Sequence, residues 1–81
     1  MAIGFALISV SPMKEREVFD RVSSIDEVKE IYPLFGEYDI LAKIESGDFD
    51  EVGAVVIKKI RAIPGVIDTK TLLTSESLKG K

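Results

Sequence analysis

The stretch VKEIYPLFGEYDILAKIE at residues 28–45 decides the fold of this chain. It contains two runs of strand-forming residues, predicted as strands over Val28–Phe35 and Tyr38–Glu45, with Gly36 in the short link between them. This pattern is typical of a β-hairpin. Pro33 cannot donate to a strand ladder, so the first of the two strands is predicted to lie at a sheet edge or to be bulged near its end.

A strand and a helix are predicted before the hairpin. Ala2–Val10 (AIGFALISV) is apolar at nearly every position and too short for a buried helix, which indicates a strand buried on both faces. Ser11 is placed to cap a helix, and Pro12 to occupy its first position. Apolar residues then recur at helical spacing, so an amphipathic helix is predicted from Met13 to about Val22.

A second helix and a last strand are predicted after the hairpin. Asp48 and Glu51 have the spacing of a capping box, with Asp in place of the usual Ser or Thr. The helix is predicted to run to about Ala62, before a Pro-Gly stop. Val66–Thr74 is predicted to be the last strand, and Ser75–Lys81 is expected to be a frayed tail.

The order of elements is therefore β-α-β-β-α-β within a single domain of 81 residues. Two strand–helix–strand units with right-handed crossovers give an α+β, ferredoxin-like sandwich. Its sheet has four antiparallel strands, and both helices lie on one face.

The alternation of residues assigns the faces of the inner and last strands. The set of the third strand predicted to face the helices is Ile40, Ala42 and Ile44, with Asp39 on the opposite face. On the last strand the set predicted to share one face is Ile67, Thr69, Thr71 and Leu73, with Val66 and Leu72 on the other.

One face of the predicted sheet is left without cover. Two helices cover one face only, yet Ile3, Phe5 and Leu7 of the first strand alternate with other apolar residues. A bare face of this content is larger than soluble monomers usually tolerate. A chain this short also needs a further source of stability, and the absence of cysteine excludes disulfides. We therefore predict a homodimer in which a second copy covers the sheet.

Composition excludes several classes of protein. Hydrophobic residues make up 46% and charged residues 31%, which is typical of a soluble globular domain. The formal net charge of −3 argues against direct binding of nucleic acid. No apolar run is long enough for a membrane span, and no signal peptide is recognised, so a cytoplasmic location is expected.

The residue types that most often carry catalysis are missing. The chain has no histidine and no cysteine, so neither catalytic residues, nor a metal, nor a cofactor is predicted. Acidic residues near Asp48 are explained as helix caps, and the basic cluster around Lys58 as compensation of a helix C-terminus. We therefore expect a protein that is not an enzyme.

The turn Gly36-Glu37-Tyr38-Asp39 is the most informative motif. Gly36 allows the chain to reverse. Free backbone N–H groups in such a turn can receive a carboxylate, while Asp39 can pair with an ammonium group, which together suit a zwitterion. The alternative is that Asp39 only holds the turn through a local Asx-type hydrogen bond.

This turn also belongs to a wider resemblance. The GEYD turn, the IxAxI strand, a helix ending in IPGV and the DTKTLL strand resemble the effector-binding domain of the Lrp/AsnC transcription regulators, also called the RAM domain. The resemblance runs from the first strand to about Thr74. It implies that residues 1–81 are one Lrp/AsnC-type ligand-binding domain. Because Met1 leads straight into the first strand, we expect a stand-alone module without a helix-turn-helix domain.

The resemblance implies a ligand and an assembly. The effector would be an amino acid, bound without reaction where two dimers meet, and the dimers would assemble into an octamer or decamer. The residues implied to contact it are Gly36, Glu37, Tyr38 and Asp39 from the turn, with Thr69 and Thr71 from the last strand. Such a module would join the oligomer of a full-length Lrp/AsnC regulator, or sense or buffer an amino acid.

Two other functions stay open on the sequence alone. Dimeric α+β barrels of this topology include small cofactor-free enzymes, which usually need a positioned base. The chain is also compatible with a structural assembly subunit that binds no ligand.

Overall fold

The computed structural model describes residues 1–75, 78 and 80. The secondary-structure elements of these residues are β1 (Ala2–Val10), α1 (Glu15–Ser23), β2 (Val28–Pro33), β3 (Ile40–Ser46), α2 (Phe49–Val55) with a π-helical continuation (Val56–Ile60), and β4 (Val66–Leu73). The described strands form one antiparallel sheet in the order β2-β3-β1-β4. The α+β, ferredoxin-like fold is confirmed. The predicted frayed tail falls partly on residues 76, 77, 79 and 81, which lie outside the described residues.

The hydrophobic core lies between the helices and one face of the sheet. Every second residue of β1 is buried, and β3 alternates in the same way. The predicted core set of Ile40, Ala42 and Ile44 is confirmed, since these side chains are at most 2% exposed. The buried side chains that α1 and the α2 segment contribute are Val18, Val22, Val52, Val55, Val56 and Ile60.

Gly4 allows α2 to pack closely on β1. A Cβ atom at this position would lie 2.6 Å from Cγ1 of Val52. Val52 is fully buried, so it cannot move aside without disturbing the core. We expect Gly4→Ala to lower the free energy of unfolding by about 1–3 kcal/mol through overpacking, measured by urea denaturation.

Gly53 provides the matched control for this substitution. It lies inside α2, and a Cβ atom there would meet nothing within 4 Å. Gly53→Ala is therefore expected to raise the free energy of unfolding by roughly 0.5–1 kcal/mol, because alanine favours the helix. Equal effects of the two substitutions would contradict the close approach at Gly4.

The first helix begins later than the sequence predicts. Its N-cap is Lys14, without a side-chain cap, so Ser11 is not the N-cap and Pro12 is not the first helical residue. Instead the Lys14 N–H donates to the Ser11 carbonyl at 3.1 Å, which closes a turn. Met13 in this turn has φ 70°, a left-handed conformation that interrupts a helix. Helical geometry therefore starts only at Glu15.

The second helix begins as predicted but ends differently. The Glu51 N–H donates to Oδ1 of Asp48 at 2.8 Å, and Glu51 Oε2 accepts from the Gly47 N–H at 3.1 Å. After Val55 the helix widens, so that the Arg61 N–H donates to the carbonyl of Val56 at 2.9 Å.

A bulge in β4 changes the face of the sheet on which the residues before it lie. Thr69 and Thr71 pair with Ile8 and Ala6, so they lie on the helix side of the sheet. The register then shifts, and Ile67 is the extra residue. Val66 therefore lies opposite Val10 and packs against the core, so the predicted placement of Ile67 and Val66 is wrong, while that of Leu73 and Leu72 is confirmed.

The other sheet face carries no helix in the described chain. Its apolar side chains, all partly exposed, are Ile3, Phe5, Leu7, Tyr32, Leu41 and Leu72. We call this set the open face. β2 lies at the edge of the sheet, as Pro33 predicts, although its bulge is near its start.

An ion-pair cluster borders the open face on β2 and β3. The Tyr32 hydroxyl donates to Oε1 of Glu30 at 2.7 Å, and Lys43 Nζ lies 3.4 Å from Glu30 Oε2 and 3.6 Å from Glu45 Oε2. The Tyr32 hydroxyl and the Lys43 ammonium lower the pKa of the Glu30 carboxyl. The cluster gives the open face a polar margin on one side.

Candidate ligand site

The hairpin loop and the start of α1 meet at one end of the sheet and form a cleft of about 290 Å³. Its lining is mainly apolar, with charged groups at its margin. The residues that line it are Glu15, Arg16 and Phe19 of α1, Pro33 of β2, Asp39, and Ile40 of β3. We call it the hairpin cleft.

Asp39 attaches the hairpin to the central strand. Its backbone N–H donates to the Ile8 carbonyl at 2.8 Å, and its carbonyl accepts from the Leu34 N–H at 2.8 Å. Its side-chain Oδ2 accepts from the Val10 N–H at 2.7 Å. The other carboxylate oxygen, Oδ1, has no hydrogen-bond partner among the described residues.

This arrangement differs from two sequence-based expectations for Asp39, namely the local Asx-type bond and the face on which the residue lies. The carboxylate bonds to β1 across the sheet rather than to its own turn, so the local Asx-type bond is not formed. Asp39 also precedes β3 and lines the hairpin cleft beside α1, so its predicted position on the face opposite Ile40 is wrong. The reason is that its side chain bonds to the Val10 N–H of the neighbouring strand, so it does not follow the alternation of β3.

The turn that precedes Asp39 presents unused hydrogen-bond donors. In the described part of the chain, the backbone N–H groups of Phe35, Gly36, Glu37 and Tyr38 have no protein acceptor. Gly36 has φ 155°, which only glycine adopts readily, so its predicted role in the reversal is confirmed. Glu37 is exposed and Tyr38 is half-buried.

The two threonines lie apart from the turn within one chain. Thr69 and Ile40 pair with opposite sides of Ile8, so two strand spacings, about 10 Å, separate them. Thr71 lies two residues further along β4. Neither threonine lines the hairpin cleft. The structure therefore brings together the turn residues and Asp39, but not the threonines.

Five residues of the cleft were not identified from the sequence as site residues: Glu15, Arg16, Phe19, Pro33 and Ile40. Glu15 and Arg16 have ordinary explanations as first-turn residues of a helix, and Phe19 as a core residue. Arg16 pairs with Asp20 at 3.2 Å, whereas Glu15 has no ion-pair partner among residues 1–75. Only the packing of α1 beside the hairpin reveals their common position.

A larger opening of about 420 Å³ lies between the C-terminal parts of the two helices. It is lined by Arg21, Lys58 and Lys59 among others, and Lys59 is paired with Glu27 at 2.9 Å. Cations at these positions compensate the carbonyl ends of the helices. The chemistry of the turn and Asp39 therefore makes the hairpin cleft the better candidate.

Asp39 gives the cleft an acceptor for a cation, and the turn that precedes it, which does not itself line the cleft, offers donors for an anion. Four successive N–H groups suit a carboxylate, and the free oxygen of Asp39 suits an ammonium group. Among the described residues no group of three or more His, Cys, Asp or Glu is placed to hold a metal ion. Within the same described residues, no helix is long and apolar enough to cross a membrane.

Comparison with known families identifies the type of domain. Residues 3–81 match the family described as the Lrp/AsnC ligand binding domain. The chain belongs to this family. The sequence resemblance is thereby confirmed, and the Lrp/AsnC domain is a regulatory, ligand-binding type of module.

Two kinds of curated protein contain a similar domain. An uncharacterized HTH-type transcriptional regulator of Pyrococcus furiosus is 36% identical over 78 residues, which are 93% of this chain and 52% of that protein. A homocitrate synthase of Sulfurisphaera tokodaii is 41% identical over 76 residues, 90% of this chain but only 16% of the enzyme. This Lrp/AsnC domain thus spans about half the length of the regulators that it matches.

Solved structures share the fold. FFRP-DM1 superposes with a TM-score of 0.87 at 33% identity, covering 93% of this chain and 100% of that one. AsnC of E. coli superposes with a TM-score of 0.84 at 27% identity, and the match covers 99% of this chain and 55% of that one. The regulator NMB0573 of Neisseria meningitidis was solved as an L-Met complex. It superposes with a TM-score of 0.82 at 23% identity, and the match covers 98% of this chain and 53% of that one.

Proposed function

We propose that this Lrp/AsnC domain binds a free amino acid at the hairpin cleft and couples that binding to the assembly of its oligomer. The observation that carries the proposal is the free oxygen of Asp39 beside a turn with four unused N–H groups. An α-amino acid carries the two complementary charges on groups that are bonded to the same carbon atom. A site with a carboxylate and an N–H cradle at one turn matches that zwitterion.

In the proposed pose, each group of the ligand contacts a different part of the site. The α-carboxylate of the ligand accepts from N–H groups of the turn, and its ammonium group donates to Oδ1 of Asp39. The side chain of the ligand then lies toward the apolar walls formed by Phe19, Pro33 and Ile40. A volume of about 290 Å³ is at the small end of ligand pockets, which suits a single amino acid.

The comparisons support a function that belongs to this domain rather than to the other parts of the proteins that contain it. Similar domains occur in HTH-type regulators and in homocitrate synthases, whose remaining parts differ. A domain shared by proteins of such different kinds is compatible with a binding function that the domain carries by itself. The Neisseria regulator was solved with L-Met, but that likeness establishes the fold only, so the ligand class proposed here rests on the turn and Asp39.

The open face supports oligomer formation. Its apolar centre is bordered by the Glu30–Lys43–Glu45 cluster, and the described chain offers no helix to cover it. We propose that a second copy covers it, giving a homodimer, and that dimers assemble further into an octamer or decamer. Thr69 and Thr71 would then approach a ligand from a neighbouring subunit, since β1 separates them from the turn of their own chain. A full-length Lrp/AsnC regulator would be recruited through the same surfaces.

Ligand binding is coupled to oligomer assembly if residues of a neighbouring subunit complete the ligand site. A ligand that binds the assembled state more tightly than the free dimer shifts the population toward the assembled state. The alternative of a small cofactor-free enzyme would have to use Glu15 or Asp39 as its base, since the titratable side chains of the cleft are these two carboxylates and Arg16.

Calorimetric titration with the twenty amino acids tests the proposal. We expect one or a few to bind. For each binder, the amide that lacks the carboxylate and the hydroxy acid that lacks the ammonium group should each bind at least roughly tenfold more weakly, as expected for loss of a charged hydrogen bond. No binding by the folded protein at millimolar concentrations would overturn the proposal and favour a structural assembly subunit.

A further inference from the structure

One carboxylate of the hairpin cleft is not used by the proposed pose. Glu15 is the first residue of α1, and it lines the cleft. In the part of the chain that the structure describes, its carboxylate has no ion-pair or hydrogen-bond partner. Glu17 on the same helix differs, because it lies 3.9 Å from Nζ of Lys14 and does not line the cleft. The helix dipole favours acidic residues at both positions, but it does not account for a free carboxylate beside a cleft.

The charges around the cleft favour a second cation on the ligand. Glu15 and Asp39 are its two carboxylates, and Arg16 is the only cation among the described residues that line it. Nη1 of Arg16 lies 3.2 Å from Oδ1 of Asp20, so a residue outside the cleft balances its charge. In the proposed pose the α-ammonium group of the ligand balances Asp39. The charge of Glu15 then remains for another cationic group.

The position of Glu15 suits the far end of a long side chain. Glu15 and Asp39 come from different elements, the start of α1 and the end of the hairpin loop, which meet at the cleft. Phe19 follows Glu15 by four residues, so the two lie on one face of α1. A methylene chain can pack against the apolar walls while the charge at its end pairs with a carboxylate, as the side chains of lysine and arginine do.

We infer that the amino acid bound in the hairpin cleft has a cationic side chain, as lysine, ornithine and arginine have, and that Glu15 pairs with this cation. Glu15 is then the residue that determines specificity, whereas Asp39 and the turn recognise the α-groups that all amino acids share. The inference rests on the proposed function, because it requires the α-groups to be held at Asp39. A ligand with a carboxylate side chain is disfavoured by Glu15 for the same electrostatic reason.

Two matched pairs of ligands test the class of side chain. Norleucine has the carbon chain of lysine without the ε-ammonium group, and citrulline has the shape of arginine without its charge. In calorimetric titration of the wild-type protein, we expect the cationic member of at least one pair to bind at least roughly tenfold more tightly than its neutral partner, as expected for a charged hydrogen bond. The preference should decrease as salt is raised, because Glu15 is exposed.

Glu15→Gln tests the residue. It keeps the shape of the side chain and removes the charge, and the exposed position leaves the core intact, which circular dichroism will check. We expect the affinity for the cationic amino acid to fall to that for its neutral partner, while the neutral partner binds as it does to the wild type. Glu17→Gln is the matched control, since it removes a carboxylate of the same helix outside the cleft and should retain the preference.

These outcomes separate the inference from the proposed function. Equal affinities within both ligand pairs would overturn the inference, while weaker binding of all amino acids by Asp39→Asn would still support the proposed site. A preference for the cationic ligand that persists in Glu15→Gln would show that another group recognises the side chain. No binding of any amino acid overturns the proposed function and the inference together. Tighter binding of glutamate than of lysine would show that Arg16, not Glu15, faces the ligand.

Discussion

Asp39→Asn is expected to weaken amino-acid binding about 10- to 100-fold while the protein remains folded. Oδ2 of Asp39 accepts a hydrogen bond from the Val10 N–H at 2.7 Å, and the side-chain carbonyl of asparagine can still accept that bond. The negative charge for the ligand ammonium is lost. Isothermal titration calorimetry measures the affinity, and urea denaturation measures the stability.

Asp39→Ala removes both functions of the side chain. The part-buried Val10 N–H then lacks its acceptor, so the free energy of unfolding should fall by about 1–3 kcal/mol in addition to the loss of binding. Asp68→Asn is the matched control, since Asp68 is an exposed carboxylate on β4 outside the cleft. Wild-type affinity in Asp39→Asn would show that the carboxylate does not bind the ammonium group.

Leu41→Glu is expected to convert the proposed homodimer into a monomer. Leu41 lies in the open face, and its cross-strand neighbours on that face are Leu7 and Tyr32, so no cation lies directly opposite the new carboxylate. Two-fold symmetry would bury two added carboxylates without an added cation, because the nearby Lys43 is already shared by Glu30 and Glu45, and such burial costs several kcal/mol for each. The dimer dissociation constant should rise roughly a thousandfold or more, which sedimentation velocity will detect.

A substitution on the helical side of the domain provides the control. Ile57→Glu introduces the same charge at a side chain that is 62% exposed and outside the open face, and it should leave the dimer unchanged. Circular dichroism checks that the described fold persists in both variants. A wild-type protein that sediments as a folded monomer at micromolar concentration would contradict the role of the open face.

Much of the fold was predictable because the relevant signals are local. Alternation in β3 identified Ile40, Ala42 and Ile44 as core residues, since a strand repeats every two residues. The capping of α2 by Asp48 was predictable because N-cap and backbone donor are three residues apart. The start of α1 was not, because the left-handed turn at Met13 has no local signature in the sequence.

The candidate site was predictable in part. Its motif, the turn with Gly36 and Asp39, is contiguous in the chain, and glycine is required there by its backbone conformation. The partner of the Asp39 carboxylate is Val10, which is 29 residues away. One wall of the cleft comes from α1, and no sequence pattern links Phe19 to the hairpin.

The sequence by itself therefore determined the order of the strands and helices, the apolar character of both faces of β1, and the position of the reversing turn. These properties depend on residue type and on periods of two or about four residues. Only the tertiary structure decided that Asp39 attaches the hairpin to β1, that Ile67 forms a bulge, and that the threonines of β4 lie apart from the turn. The reason is physical: strand register and helix packing bring together groups that are distant in the chain, and their positions follow from close packing of the whole domain.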